Sequence, residues 1–387
     1  MNSDPSELTV ATVHDARSST KDATPSSAVV SVRFPRQRTS PLSPARSNAS
    51  KVAFTCRHVD LSSLRGLTTA CVPRAGDLVL AEVVRRRQHP RIELTDGRKA
   101  TLFPGDEILV AYGNRYASDQ FESLVPEDLD PCHLVASGGV ASRVRHRHNG
   151  VRPATEIRPI GLVTDSSGVV VNLSSFGIEL EPPVRRPPCF AVVGSSMNAG
   201  KTRTAMQLIW ALKKAGFRVG AAKITGTGSG GDYWKFVDSG ADRVLDFGDA
   251  GHVSTYLVEL DELLRIARGL VGELERSGAE VVVLEIADGV FQGETAALLE
   301  SPEMRALVDG YFLAVTDSLS ASAGADWMRR RSLPLLALCG TLTRAPLAIR
   351  EASTATEVPI LSLSELSCPN VASSLFSVTA SVERPGA

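Results

Sequence analysis

The run Cys189-Phe190-Ala191-Val192-Val193-Gly194-Ser195-Ser196-Met197-Asn198-Ala199-Gly200-Lys201-Thr202 constrains this chain more than any other stretch. Its apolar head reads as a buried strand, and the glycine-bounded loop that follows ends in Gly-Lys-Thr. Beyond Thr202, Ala205, Leu208, Ile209 and Leu212 recur at helical spacing, so the loop joins a strand to the positive end of a helix. That junction is a phosphate cradle. Backbone N–H groups of the loop and first turn point at phosphate oxygens, Lys201 reaches the β/γ-phosphates, and the Thr202 hydroxyl is placed for Mg²⁺. Gly194, Ser195, Asn198, Ala199, Gly200, Lys201, Thr202 and Arg203 are therefore the expected nucleotide-binding residues. Five residues rather than four separate Gly194 from Gly200, so either Ser195 takes the first-glycine position or the loop is one residue longer.

A chain of 387 residues predicts two domains, and its 43% hydrophobic content is enough to build their cores. A formal net charge of −1 gives no global attraction for nucleic acid or an anionic membrane, so neither is expected as a partner. The six cysteines are scattered without a C-x-x-C pair and read as small hydrophobes in a reducing cytoplasm. No apolar stretch approaches the roughly eighteen residues of a membrane span, and no apolar region follows a basic start.

Residues 1–50 are rich in Ser, Thr, Pro, Arg and Asp without an apolar period, and read as a disordered tail. Residues 51–181 change to short apolar runs punctuated by Gly, Pro, Asn and Asp. Strands are expected at 77–84, 91–94, 99–103 and 107–112, with a hairpin through Thr95-Asp96-Gly97-Arg98, giving a small β-rich barrel or sandwich. Ser137-Gly138-Gly139 reads as an ordinary tight turn. The basic clusters at Arg85-Arg86-Arg87 and at Arg143, Arg145, His146, Arg147 and His148 lack interleaved aromatics and read as solvated loops, with no metal-ligand spacing among the histidines. Residues 182–188 form a proline-rich linker. From 189 to 387 strand and helix alternate, with strands at 217–224, 279–286, 311–316, 335–339 and 358–361 and a helix over 257–276. This is an α/β pattern: a mostly parallel sheet, helices on both faces, ligands at the carboxyl ends of the strands.

Two such strand ends carry chemistry. Lys223 closes one strand and precedes the Gly/Thr-rich loop that runs to Asp232, as a second anionic or Mg²⁺-linked ligand requires. Asp232 and Asp238 both stand as metal-side carboxylates, which the sequence does not separate. Val281-Val282-Val283-Leu284 delivers Glu285 to another strand end, opposite the phosphates, with Asp288 and Gly289 following. The expected catalytic residues are Lys201, Lys223 and Glu285, and the expected metal set is Thr202, Glu285 and Asp232. The stretch 339–347, after a late strand, faces the base or forms an ordinary strand–loop–helix link.

In order and approximate spacing, the Gly194–Thr202 loop, the Lys223-Ile224-Thr225-Gly226 turn and the Leu284-Glu285 strand end resemble the three motifs of dethiobiotin synthetase and its cobyric-acid-synthase-like relatives among the P-loop NTPases. The resemblance covers the half of the chain from Phe190 onward and implies an ATP/Mg²⁺ site. By it, Lys201 binds phosphate, Thr202 and Glu285 serve Mg²⁺, and Lys223 assists the substrate or the transferred phosphoryl group. Where that family has a glycine-rich run, this chain has Ile286-Ala287-Asp288-Gly289, and the added β-rich region is foreign to that enzyme. Partitioning-type dimeric ATPases carry a lysine where Ser196 stands, which turns the reading away from them, and the lack of an Asn-Lys-x-Asp motif favours ATP over GTP. The expectation is an ATP/Mg²⁺-dependent ligase or kinase that activates an unidentified small acceptor, with a homodimer left open. The alternative is a regulatory NTPase switch that controls a protein partner through the β-rich domain.

Overall fold

The computed structural model describes residues 39–368 together with 370, 371 and 374. The part of the expected tail from 1 to 38 lies outside them. The rest of that tail is ordered. Thr39–Pro41 is a strand paired with Gly66–Thr68, and Pro44–Ala49 is a short helix capped by Ser43 and tied by Arg46 to Glu107. Here a proline at the first helical position and a serine cap supply local order that a scan for apolar periodicity does not register.

The β-rich region closes into a barrel. Strands Leu78–Arg85, Glu107–Tyr112, Val140–Arg147, Cys132–Ala136 and Thr155–Thr164 pair in that order, and the last returns to the first. Val79, Ala81, Val83, Ile108, Val110, Tyr112, Leu134 and Ile157, at every second position, form one buried cluster. Their strand neighbours Leu78, Leu80, Leu109 and Ala111 form a second cluster beneath the 3₁₀ turns of residues 54–63. The expected hairpin is present as Arg91–Glu93 paired antiparallel with Lys99–Thr101, with Gly97 at φ +84° in its turn.

The second sheet is six-stranded and wholly parallel, in the order Arg243–Asp246, Val219–Lys223, Val281–Glu285, Cys189–Gly194, Gly310–Ala314, Leu335–Cys339. Its strands are near-continuous apolar runs because both faces are covered. Helices Lys201–Lys214 and Gly230–Asp238 pack on one face, and Leu260–Arg276, Gly293–Glu300 and Ser318–Arg330 on the other. This is an α/β fold, a parallel sheet covered by helices on both faces. The expected strand at 358–361 reduces to a single parallel bridge between Leu338 and Ile360. The helix at 230–238 and the strand at 243–246 are additions to the sequence reading. The five glycines between 220 and 231 mask the helix's start, and its Ser229 cap is the signal that was available.

The proline-rich stretch is pinned rather than loose. Val184 and Arg185 donate their backbone N–H groups to Glu275, and Arg186 grips Asp309 through two hydrogen bonds of 2.6 and 2.7 Å. The described residues accordingly fall within one compact unit. Among them, no helix is long and apolar enough to cross a membrane.

Candidate functional site

The parallel register places the functional side chains. Val192 of the cradle strand lies opposite Glu285, and Lys223 lies opposite Glu285 on the other side, so the lysine, the glutamate and the loop leave the sheet at one edge. The loop itself is shaped by backbone exceptions. Asn198 has φ +64° and Gly200 φ +111°, which only a small or amide-bearing residue holds cheaply. A Cβ on Gly194 would sit 2.9 Å from the Lys201 side chain, so the glycine is what lets the lysine pass over the loop. Lys201 Nζ donates to the Ser196 carbonyl at 2.9 Å, curling the loop around its own ammonium group.

Thr202 Oγ1 stands 3.1 Å from Asp232 Oδ1 and 3.2 Å from Glu285 Oε1. Lys223 Nζ pairs with Asp232 and lies 3.7 Å from Glu285, while Lys235 reaches Asp232 from one helical turn away at 3.2 Å. Asp238, the other aspartate that the sequence offered, lies at the far end of this helix and lines no part of this cleft. The groups border a cleft of about 330 Å³, which Asp288, Thr341 and Arg344 also line. A larger hollow of about 910 Å³ lies elsewhere, between Cys71–Asp77 and Gly251–Val258, and contains no phosphate-loop residue.

Burial sets the charge states. It pushes the Glu285 carboxyl up, and the like charge of Asp232 adds to this. It also pulls the Lys201 ammonium down, against the attraction of Glu285 and Asp288. On Lys223 burial acts downward, yet the Asp232 and Glu285 carboxylates outweigh it and hold the ammonium above its ordinary value. Asp232 is correspondingly held low, its desolvation outweighed by Lys223.

These residues fit a hard divalent cation. Glu285 is 2% exposed, and its Oε2 has no hydrogen-bond partner, which leaves a buried carboxylate oxygen open beside a hydroxyl and a second carboxylate. Among the described residues no group of three or more His, Cys, Asp and Glu side chains gathers as a metal array. Two carboxylates and a hydroxyl suit Mg²⁺, which takes the rest of its shell from phosphates and water. When bound, the ion would neutralise phosphate charge, with Thr202, Glu285 and Asp232 holding it.

Two of the expected residues also hold the loop in place. The Ser195 backbone N–H is committed to the Ala314 carbonyl at 2.8 Å, because the cradle strand continues pairing through that residue; only its buried, unpartnered hydroxyl faces free. Ala199 is fully buried, and its carbonyl accepts from Thr341 N–H at 2.8 Å, so it docks the 339–347 stretch onto the loop. A Cβ on Gly200 would meet Gly340 Cα at 3.0 Å, a contact that needs glycine. Arg203 is exposed at the rim. Sequence reasoning missed Lys235, which its spacing of three from Asp232 marks on a helix, and the barrel residue Asp119, whose Oδ2 accepts from Asn198 Nδ2 at 2.7 Å. No local signal marks Asp119.

No protein-family model matches the chain. No curated protein matches it either, so the dethiobiotin synthetase resemblance rests on the three motifs alone. Solved structures do align with it. The signal recognition particle 54 kDa protein from Aeropyrum pernix K1, in complex with GDP, is 22% identical over 51% of this chain and 50% of its own, with a TM-score of 0.34. The signal recognition particle receptor FtsY from Elizabethkingia anophelis is 16% identical over 54% of this chain and 75% of its own, at 0.35. Chloroplast FtsY from Physcomitrella patens is 15% identical over 54% and 70%, at 0.34. The chain spans about half the length of the Aeropyrum protein.

Proposed function

We propose that this protein is a Mg²⁺-dependent nucleoside triphosphatase whose nucleotide state is relayed to the barrel, which acts as a switch toward a protein partner. The observation that carries this reading is the Asn198–Asp119 hydrogen bond, because it ties the phosphate loop directly to the β-rich region. In this reading Lys201 binds the phosphates, Thr202 with Glu285 and Asp232 holds the ion, and Lys223 steadies the two carboxylates until the nucleotide arrives. Residues 51–181 form the responding domain, joined through 182–188 to the nucleotide domain 189–387. The protein works in the cytoplasm, and ATP is the expected nucleotide. Calorimetry with Mg²⁺ and ATP or GTP tests both choices. Lys201→Ala should weaken nucleotide binding at least about a hundredfold, the loss of a charge-assisted contact in a dry site. Full retention of binding and turnover by that variant overturns the proposal.

A second reading, phosphoryl transfer to a small acceptor as a ligase or kinase, is favoured by one feature. Asp288 lines the nucleotide cleft and also a narrow polar crevice bordered by Tyr116, Thr225, Tyr256, Gln292 and Glu294. The two readings separate in one assay. A switch changes conformation with nucleotide alone, whereas a transferase consumes nucleotide only when a metabolite pool supplies its acceptor.

A further inference from the structure

The hairpin that carries Asp119 also holds a cation without a counter-ion. Arg115–Tyr116 pairs antiparallel with Phe121–Leu124, and Asp119 sits in the connecting turn. Arg115 is only 7% exposed. Its Nη1 meets His89 Nε2 at 3.3 Å, its Nη2 donates to Gln120 Oε1 at 3.1 Å, and its Nε has no partner. Both partners are neutral near pH 7, since burial and Arg115 itself push the His89 imidazole down to about 4. Among the described residues no carboxylate lies within ion-pair distance of the guanidinium. A buried charge left in that state costs several kcal/mol unless something else offsets it.

The negative charges that act on Arg115 from farther out are Asp119 and Asp288. Both lead to the phosphate site. Asp119 spends one oxygen on Asn198 and keeps Oδ1 buried without a partner. Asp288 borders the cleft beside Lys201 and feels Lys201, Lys223 and Arg115 together. The hairpin therefore brings an unsatisfied carboxylate acceptor, Asp119, against the phosphate loop and carries an unsatisfied guanidinium donor, Arg115, four residues before it.

We propose that Arg115 is an oxyanion-binding residue that the barrel supplies to the phosphate site, and that Asp119 holds the hairpin on Asn198 until an oxyanion arrives to engage it. The proposal rests on the nucleotide-site reading above. The ligand is a phosphoryl or similarly compact oxyanion, either the terminal phosphate of the bound triphosphate or an anionic group on a second molecule. The forked guanidinium matches such a group with two parallel hydrogen bonds.

The test uses the full-length protein with Mg²⁺, a nucleoside diphosphate, the non-hydrolysable β,γ-imido triphosphate, and inorganic phosphate added to diphosphate-loaded protein, all by calorimetry. If the oxyanion is the terminal phosphate, Arg115→Ala weakens the triphosphate about tenfold or more and the diphosphate by no more than about twofold. If it belongs to a second molecule, the triphosphate-to-diphosphate ratio stays put and inorganic phosphate binding falls by a similar factor. Unchanged values in both arms overturn the proposal, as does an equal loss for diphosphate and triphosphate in a variant that melts like wild type. Asp119→Asn guards against a misfolded arginine variant: it removes the competing charge, should strengthen oxyanion binding, and overturns the proposal if it leaves binding unchanged or weaker. Failure of wild-type protein to bind any nucleotide refutes the nucleotide-site reading and this one with it, whereas diphosphate binding without Arg115 dependence refutes only this one.

Discussion

In the proposed metal role, Glu285 meets two demands that pull in opposite directions. Ligating Mg²⁺ requires its carboxylate form, while full burial and the nearby Asp232 favour the protonated one. Its titration is thus raised above the ordinary glutamate value of 4.5, and Mg²⁺ affinity in the nucleotide complex should fall as pH drops through that raised value. Glu285→Gln should abolish the pH dependence and weaken Mg²⁺ by about ten- to a hundredfold, the effect of losing one charged ligand. A Mg²⁺ titration between neutral and mildly acidic pH reads both; an unchanged profile in the glutamine variant removes Glu285 from the metal set. His89 offers a second titration with the opposite location and a clear sign. Its ring titrates near 6.5 in the unfolded chain and near 4 when folded. Between these values the unfolded state binds more protons, so this contribution to stability is complete above about 6.5 and is lost as pH falls toward 4, on the order of 3 kcal/mol in all. Denaturant unfolding at several pH values should show the slope in wild type, and His89→Gln should flatten the part of it that lies in this window.

At the scale of elements, the phosphate loop, the Lys223 strand and the Glu285 strand were legible because each is a local pattern: an apolar run that ends in a polar or glycine-rich signal. The parallel sheet then brings these ends together whatever the loops between them do. Legibility ends where the structure depends on pairs distant in sequence. Asn198 and Asp119 are 79 positions apart, and nothing near either residue encodes the contact. The Ser137-Gly138-Gly139 turn shows the same limit. It is an ordinary turn by sequence, yet a Cβ on Gly138 would stand 2.2 Å from the Gly228 carbonyl oxygen. The missing side chain is thus what lets the barrel approach the loop that runs from Lys223 to Asp232. Glu93 anchors the same seam, since its carboxylate accepts from the Gly230 N–H at 3.0 Å and holds the start of the helix that carries Asp232. Gly138→Ala should therefore cost about 1–3 kcal/mol through overpacking against backbone that has nowhere to yield. It should also shift Asp232, so nucleotide affinity should fall together with stability. A variant that unfolds like wild type in denaturant would show that the seam is looser than the close approach implies.

Across the whole molecule, barrel and parallel sheet meet through a buried ion cluster. Arg57, on the turn after the first 3₁₀ segment, places Nη2 2.7 Å from Asp246 Oδ1 and 3.1 Å from Asp249 Oδ2, and its guanidinium lies 4.3 Å from the Phe54 ring centroid. All three charged side chains are at most 10% exposed, and the two aspartates belong to the far edge of the parallel sheet. Removing the arginine leaves two buried carboxylates facing each other, with only Asp249 still held by His58 at 2.7 Å, a loss of about 3–5 kcal/mol by the usual cost of breaking such a pair from one side. That loss falls on the joint, where apolar packing crosses as well, since Val253, in the loop after the Arg243–Asp246 strand, is buried within a barrel cluster. Wild-type protein should consequently melt in a single calorimetric transition, and saturating Mg²⁺-nucleotide should move the whole of it, by about 2.7 kcal/mol at a hundred times Kd. Arg57→Leu should divide the melt in two, with nucleotide moving only the component that contains the phosphate loop. One undivided transition in the variant, shifted by nucleotide as in wild type, would mean that the two sheets are coupled elsewhere and that Arg57 is no part of the proposed relay from the nucleotide site to the barrel.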